Sequence, residues 1–351
     1  MNSKKVLVAV SGGVDSGAAV YLLKKAGYSV SAIMLRLYDK TDDMGNVIET
    51  EVNSARCLSK DLGIEFIYAD YRKEFKADVI DNFVNSYMDG KTPNPCVECN
   101  RSVKFKYVFD YAEKNGFDYI ATGHYARVIK DDINGSFALY KALDSKKDQS
   151  YVLYNLTREQ LSKLLLPLGE YSKEQVRGFA KDAGLKNYNK ADSQDICFIS
   201  GDYYDFIKDY TGKTFPEGDF IDKDGKILGT HKGIIRYTVG QRKGLGLSFD
   251  SPRFVVSKNP KDNTVTLGKS EELFHETVFA ERVNVLSGDF TDEVRCEAMI
   301  RYNQKPQPAT AYLLADKTLK VVFDTPQRAP SPGQSIVIYQ GEKVLGGGII
   351  K

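Results

Sequence analysis

The sequence predicts an α/β fold: a doubly wound parallel sheet over residues 1–205, then two small β-rich domains at 206–275 and 276–351, the last a β-barrel. Three observations carry that expectation. Short apolar runs rich in Val, Ile and Tyr alternate with segments of helical spacing through the first part of the chain. After about residue 205 glycine and proline become frequent and short alternating runs replace long helical ones. The length, 351 residues, exceeds what one hydrophobic core usually holds.

The elements follow in order. KKVLVAV (4–10), SVSAIMLRL (29–37), EFIYAD (65–70) and DYIATGH (118–124) are each short enough for a buried strand. Between them, residues 14–26, 52–62, 75–88 and 104–115 have helical spacing. Strand–helix alternation implies right-handed crossovers and parallel strands, with ligands bound at the carboxyl ends of the strands. RVIKDDINGSFALYKAL then places Asn134-Gly135 between two alternating runs, a hairpin signal. Ser172, with Gln175 three residues on, opens a helix by the capping-box pattern, and Gly184 closes it. Farther on, IIRYTV, RFVVS, TVTLG, RCEAMIRY, LKVVF and QSIVIYQ read as strands.

Hydrophobic residues at 42% and charged residues at 27% give the balance of a soluble globular protein and exclude a disordered or fibrous one. The opening MNSKKVLVAV has basic residues before an apolar run far shorter than a membrane span, with no small-residue cleavage site. It is expected to be the first strand of a cytoplasmic protein that meets no membrane. Forty-nine basic against 47 acidic residues leave a net charge of +2, so no global field points to nucleic acid. Locally, Lys226, Lys232, Arg236, Arg242 and Lys243 lie in a stretch without Asp or Glu, either a solvated face or a surface for phosphate backbone. Five cysteines without an export signal argue against a disulfide scaffold and toward metal or thiol chemistry where they cluster.

AVSGGVDS, Ala9 to Ser16, stands where the first strand turns into a helix. Such a turn exposes backbone amides beside the positive end of a helix dipole and suits phosphate. Gly12 and Gly13 let backbone approach an anion, Ser11 and Ser16 offer hydroxyls, and Asp15 is a candidate ligand for Mg2+. A Walker loop would carry a lysine and a dinucleotide fingerprint would read GxGxxG; neither fits. The plain alternative is an ordinary glycine-rich turn.

SGGVDS resembles the PP-loop of the ATP pyrophosphatases, which have a HUP-like fold and split ATP between its α and β phosphates. The resemblance implies a loop that grips the departing pyrophosphate, which accounts for the missing lysine. Synthetases and thiolases share that motif, and the cysteines separate them. TPNPCVECNRSVKF (92–105) sets Cys96 and Cys99 just before a basic helical stretch, and Cys197 sits far off in DSQDICFIS. A thiolate near a helix N-terminus and cations is a good nucleophile. Alone, the CxxC also fits a zinc half-site, a redox pair or a structural role.

Together these motifs resemble the bacterial tRNA-specific 2-thiouridylases, enzymes that replace the 2-oxygen of a wobble uridine with sulfur. The likeness runs nearly end to end: SGGVDS, KTPNPCVECNRSVKF, ATGHY (121–125), DSKKDQSYVLY (144–154), DSQDICF (192–198), TVGQRKGLG (238–246), RY (301–302), SPGQS and GGGII. It implies an ATP site formed by Ala9, Val10, Ser11, Gly12, Gly13, Val14, Asp15 and Ser16 with Met34 and Gly123. It implies Cys99 as nucleophile and Cys197 as the cysteine that receives sulfur from a persulfide donor protein. A transient Cys99–Cys197 disulfide then awaits a reductant. It also implies tRNA contacts at Asn94, Pro95 and Cys96 for the base, and at Lys147, Asp148, Gln149, Arg301, Tyr302, His124 and Gln334.

Cys96 departs from the family, where many members carry aspartate. Cys96, Cys99 and Cys197 together suggest an alternative in which a [4Fe-4S] cluster carries the sulfur. Plain readings stand beside the others: His124 as a strand-end packing residue, Tyr302 as barrel core, Lys147 as part of a solvated turn. Cys57 and Cys296 are expected to be buried small hydrophobes. A PP-loop synthetase acting on a small molecule, and an RNA-binding module with a vestigial nucleotide site, are the competing functions. Nothing in the sequence demands more than a monomer.

Overall fold

The computed structural model describes residues 3–39, 47–130, 135–185, 188–189, 196–288, 290 and 292–351. It divides into two compact units, one of residues 1–79, 96–194 and 342–345, the other of 80–95, 195–341 and 346–351.

The first unit is built on the expected alternation. β1 (Lys5–Ala9) leads into α1 (Val14–Lys25), followed by β2 (Ser29–Arg36), α2 (Thr50–Asp61) and β3 (Glu65–Asp70). A short α3 (Arg72–Phe75) passes through a π-helical turn into α4 (Asp81–Met88), which belongs to the second unit. Next come α5 (Pro95–Cys99), a π-helical turn over Asn100–Lys104, α6 (Phe105–Lys114) and β4 (Tyr119–Thr122). The antiparallel hairpin of β5 (Arg127–Lys130) and β6 (Phe137–Tyr140) pairs Arg127 with Tyr140. Asn134 of its predicted turn lies outside the described residues. The unit ends with α7 (Arg158–Ser162), β7 (Leu164–Leu165) and α8 (Lys173–Asp182).

The sheet order is β3-β2-β1-β4-β7, with every pairing parallel. β1 lies at its centre, and Val6, Leu7 and Val8 are fully buried, which is why its sequence is a continuous apolar run rather than an alternating one. α8 opens with the predicted capping box, Ser172 Oγ accepting from Gln175 N while Gln175 Oε1 accepts from Ser172 N. Gly184, at φ 75°, follows its C-cap.

In the second unit, α9 (Tyr203–Thr211) runs through residues 205 and 206. A four-stranded sheet follows, ordered β10-β11-β8-β9 from β8 (Gly218–Ile221), β9 (Ile227–His231), β10 (Phe254–Asn259) and β11 (Thr264–Gly268). Its core gathers Phe220, Val255, Val265 and Leu267 with Phe83, Val84 and Tyr87 of α4. IIRYTV is not a strand: Ile234–Arg236 form a 3-10 turn. Ile234 and Ile235 are neighbours and both buried, whereas a pleated strand would send them to opposite faces.

β12 (Phe274–Val285), β13 (Glu293–Met299), β14 (Gln307–Leu313), β15 (Leu319–Arg328), β16 (Ser335–Gln340) and β17 (Lys343–Ile350) form a six-stranded antiparallel barrel closed by β12 against β17. Among the described residues, no helix is long and apolar enough to cross a membrane.

Candidate active site

The glycine-rich loop lies at the carboxyl end of the central strand and opens α1, where a doubly wound sheet binds ligands. Gly13 is the N-cap, with no side chain capping the helix, so first-turn amides face a would-be anion. Ser16 Oγ accepts from Ser11 N at 3.3 Å and donates to Gly13 O at 3.2 Å, closing the loop on itself. Gly12 takes a left-handed φ of 73°, and a Cβ there would lie 2.6 Å from Glu51 O at the head of α2. Gly123, just past β4, comes so near that its Cβ would lie 2.9 Å from both Asp15 C and Ser16 N. Met34, half-buried on β2, is paired in register with Tyr68 of β3.

Asp15 is held by two side chains from elsewhere in the unit. Lys173 Nζ donates to its two oxygens at 2.7 and 2.8 Å, and Tyr125 Oη donates to Oδ1 at 2.8 Å. The Lys173 ammonium also lies 5.7 Å from the Tyr125 ring centroid. Lys173 is buried, 158 residues away in sequence, and escaped sequence reasoning. One signal was available: it follows the N-cap Ser172, in the helix turn where the dipole disfavours a cation.

Tyr125 joins this network to the DSKKDQS segment. Its amide donates to Gln149 Oε1 at 2.9 Å, and Gln149 N returns a bond to Tyr125 O at 2.8 Å. Asp148 turns inward and accepts from Ala142 N, Ser150 N and Ser150 Oγ; burial raises its carboxyl above the ordinary range, opposed by those bonds. Lys147 is half-buried, and its amide donates to Asp144 O. His124 packs on Phe105 with ring centroids 5.8 Å apart, and its Nδ1 lies 2.8 Å from Thr122 Oγ1. Burial first, and the Lys104 charge second, push its imidazole down to about 3, so it is neutral. The packing reading of His124 describes these contacts.

The cysteines divide. Cys99 is buried, 5% exposed, while Cys96 is exposed. The helical run begins earlier than expected: Pro95 opens α5, so Cys96 stands in its first turn and Cys99 closes it, ahead of a π turn rather than just before a helix. Glu98 accepts from Arg101 and Ser102 beside it. Cys197 belongs to the second unit and is exposed in a turn. Cys296 is buried as expected, its thiol pushed up to about 12 by burial. Cys57 corrects the sequence reading: it is exposed, because the buried stripe of α2 falls on Val52, Ala55, Leu58 and Ser59. Among the described residues no three His, Cys, Asp or Glu side chains gather as metal ligands.

In the second unit, Thr92 is tied to the loop after β15, its amide donating to Pro332 O and its carbonyl accepting from Gln334 Nε2, both at 2.7 Å. That tie holds the segment carrying Asn94 and Pro95. Arg301 donates to Ala329 O at 2.7 Å and Ser331 Oγ at 3.3 Å. Tyr302 is 39% exposed, so it is not barrel core. Lys226, Lys232, Arg236, Arg242 and Lys243 are all exposed, with Arg236 stacked on Tyr204 at 3.3 Å. A Cβ on Gly240 would lie 3.6 Å from Arg301 and 3.7 Å from Arg328, which brings the TVGQRKG loop beside the barrel's arginines.

Three family models match in succession: the tRNA methyl transferase HUP domain over residues 4–201, the tRNA methyl transferase PRC-barrel domain over 204–269, and the aminomethyltransferase beta-barrel domain over 275–350. The tRNA-specific 2-thiouridylase MnmA of Clostridioides difficile is 47% identical over 359 residues, 99% of this chain and 98% of the relative. Those of Lachnoclostridium phytofermentans and Acetivibrio thermocellus are 46% and 45% identical, each covering at least 99% of both chains. A solved structure, the U34-tRNA thiolase NcsA from Methanococcus maripaludis with its [4Fe-4S] cluster, is 21% identical over 60% of this chain and 65% of that one. Its TM-score of 0.36 is too low to bear on function here. On full-length similarity to these relatives, the chain belongs to the tRNA-specific 2-thiouridylase family.

Proposed function

We propose that the protein is an ATP-dependent tRNA-uridine 2-sulfurtransferase that makes 2-thiouridine at the wobble position. The observation that carries this is the lysine-free glycine loop at the head of α1, in a chain of the 2-thiouridylase family. The descriptions of the matching models speak of methyl transfer and the names of the relatives of thiolation. A loop shaped for polyphosphate serves activation by ATP, which a methyl transfer does not need.

In this reading residues 1–205 form the catalytic domain, 206–275 a central β domain and 276–351 an RNA-contacting barrel. Ala9 to Ser16, with Met34 and Gly123, hold ATP. Gly12 and Gly13 bring amides to the phosphates, and Ser11 and Ser16 donate hydroxyls. Bound Mg2+ would offset charge on the leaving pyrophosphate, and Asp15 is the loop's carboxylate for it. The uridine leaves its stack to be held by Asn94, Pro95 and Cys96. Its 2-oxygen attacks the α-phosphorus and expels pyrophosphate, leaving an adenylate at C2.

A persulfide on Cys197, loaded by a donor protein, attacks C2 and releases AMP. The Cys99 thiolate then attacks the inner sulfur, which frees 2-thiouridine and leaves a Cys99–Cys197 disulfide for a thiol reductant to open. Cys99 is buried, so this step needs α5 or its neighbours to open. Lys147, Asp148, Gln149, Arg301, Tyr302, His124 and Gln334 contact or shape the tRNA surface. Asp148, Gln149, Arg301 and Gln334 also hold the protein to itself, so they set the shape of that surface as much as its charge. The protein acts as a cytoplasmic monomer.

The test is single-turnover thiolation of tRNA with ATP and a persulfide donor. AMP and pyrophosphate should form only with tRNA present, and 2-thiouridine should be detected by nucleoside mass spectrometry. Cys99→Ser should bind tRNA normally and yield no 2-thiouridine. Normal thiolation by that variant would overturn the assignment.

A further inference from the structure

A pocket for pyrophosphate must offset several negative charges, and backbone amides with hydroxyls supply only partial ones. Walker loops answer this with a lysine inside the loop, which this loop lacks. We propose that Lys173 is the phosphate-binding cation of the site: it holds Asp15 in the resting loop and moves its ammonium onto the pyrophosphate end of ATP when the nucleotide enters. The proposal rests on the reading of the loop as an ATP site and adds a residue to it.

Four observations support the assignment. The Lys173 side chain is 10% exposed, unusual burial for a lysine, and its Nζ makes two short bonds to a loop carboxylate. A buried ion pair is a poor stabiliser, since desolvation offsets most of its attraction, so packing alone gives no reason for a charge there. The position also runs against the dipole of α8. Finally, the backbone of Lys173 is anchored: the Ser172–Gln175 capping box fixes the helix start, and the Lys173 amide donates to Asp144 Oδ2 at 3.2 Å. Only the four-carbon stem has to move, and a flexible stem with a compact ammonium suits such a transfer.

Tyr125 completes the arrangement. Its hydroxyl donates to Asp15 Oδ1, so the carboxylate keeps one donor when the ammonium leaves, and Asp15 Oδ2 becomes available to a divalent cation. Lys173 is then a binding residue for the leaving group, and Tyr125 a positioning residue for Asp15.

The experiment measures binding of inorganic pyrophosphate with Mg2+, and separately of AMP, to the full chain by calorimetry. Lys173→Met should weaken pyrophosphate about 10- to 100-fold, the size of a lost charge-assisted hydrogen bond, and leave AMP within about twofold. Lys173→Arg should recover most of the loss. Because Lys173→Met strands a carboxylate and could unfold the loop, the double variant Asp15→Asn/Lys173→Met removes both charges. It should restore folding, read from thermal unfolding, without restoring pyrophosphate binding. Three results would overturn the proposal: unchanged pyrophosphate affinity in Lys173→Met, an equal loss of AMP and pyrophosphate, or recovery of pyrophosphate binding in the double variant. A wild-type chain that binds AMP but not pyrophosphate would instead bring down the reading of the loop itself.

Discussion

The glycine loop and the Cys197 turn differ in how open they lie to solvent. The loop leaves a strand whose Val6, Leu7 and Val8 are fully buried, fits against α2 and the end of β4 with no space for a side chain, and has its one carboxylate fixed by Lys173 and Tyr125. Cys197 is exposed in a turn whose neighbours Ile196, Phe198 and Ile199 pack on the second unit's core, Phe198 lying edge-on to Phe83 at 5.6 Å. Under the proposed function, the contrast suits the chemistry assigned to each. Charge that develops on phosphate is stabilised by donors already in place, whereas a sulfur carrier has to meet a donor protein, a substrate and a second thiol in turn.

The strongest way to break the comparison is Gly12→Ala. The new Cβ would sit in a left-handed backbone and 2.6 Å from the Glu51 carbonyl. Strain of about 2–3 kcal/mol should fall on the loop, seen as a drop in ATP affinity near 100-fold in a nucleotide titration. A milder probe is alkylation of the native protein followed by peptide mass spectrometry. Cys57, Cys96 and Cys197 should react first, with Cys99 and Cys296 slower by about tenfold or more because only transient opening exposes them.

The smallest effect concerns His124. Its imidazole is held at about 3 against an ordinary 6.5, so the folded protein binds fewer protons than the unfolded chain between those values. Stability should therefore decline as pH falls below about 6.5, by about 1–2 kcal/mol at pH 5, and His124→Gln should flatten that part of the curve in urea titrations at pH 7.5 and 5.

Legibility in the sequence tracks how local each signal is. The four strands and the α8 capping box are written in consecutive residues, and each falls where it was read, within a residue or two for the strands. IIRYTV misleads because the same apolar, β-branched composition serves a tight turn that buries two adjacent isoleucines. Cys57 misleads because residue type gives the average burial of a thiol, while the stripe of one helix decides the individual case. Lys173's place against the α8 dipole was legible locally, but its pairing with Asp15 was not, since Lys173 reaches the loop only where α8 packs beside α1, bringing Leu185 close to Gly17.

Residues 80–95 carry a consequence for anyone who would take the molecule apart. They precede Cys96 and Cys99 in the chain, yet Phe83, Val84 and Tyr87 share a core with the central β-sheet, and Thr92 is laced to Pro332 and Gln334 beside the barrel. A fragment ending near residue 205 would keep the nucleotide loop and bare this apolar helix to solvent. Grafting the second unit onto another chain would therefore mean transplanting this short insert together with residues 195–341 and 346–351 as a single graft.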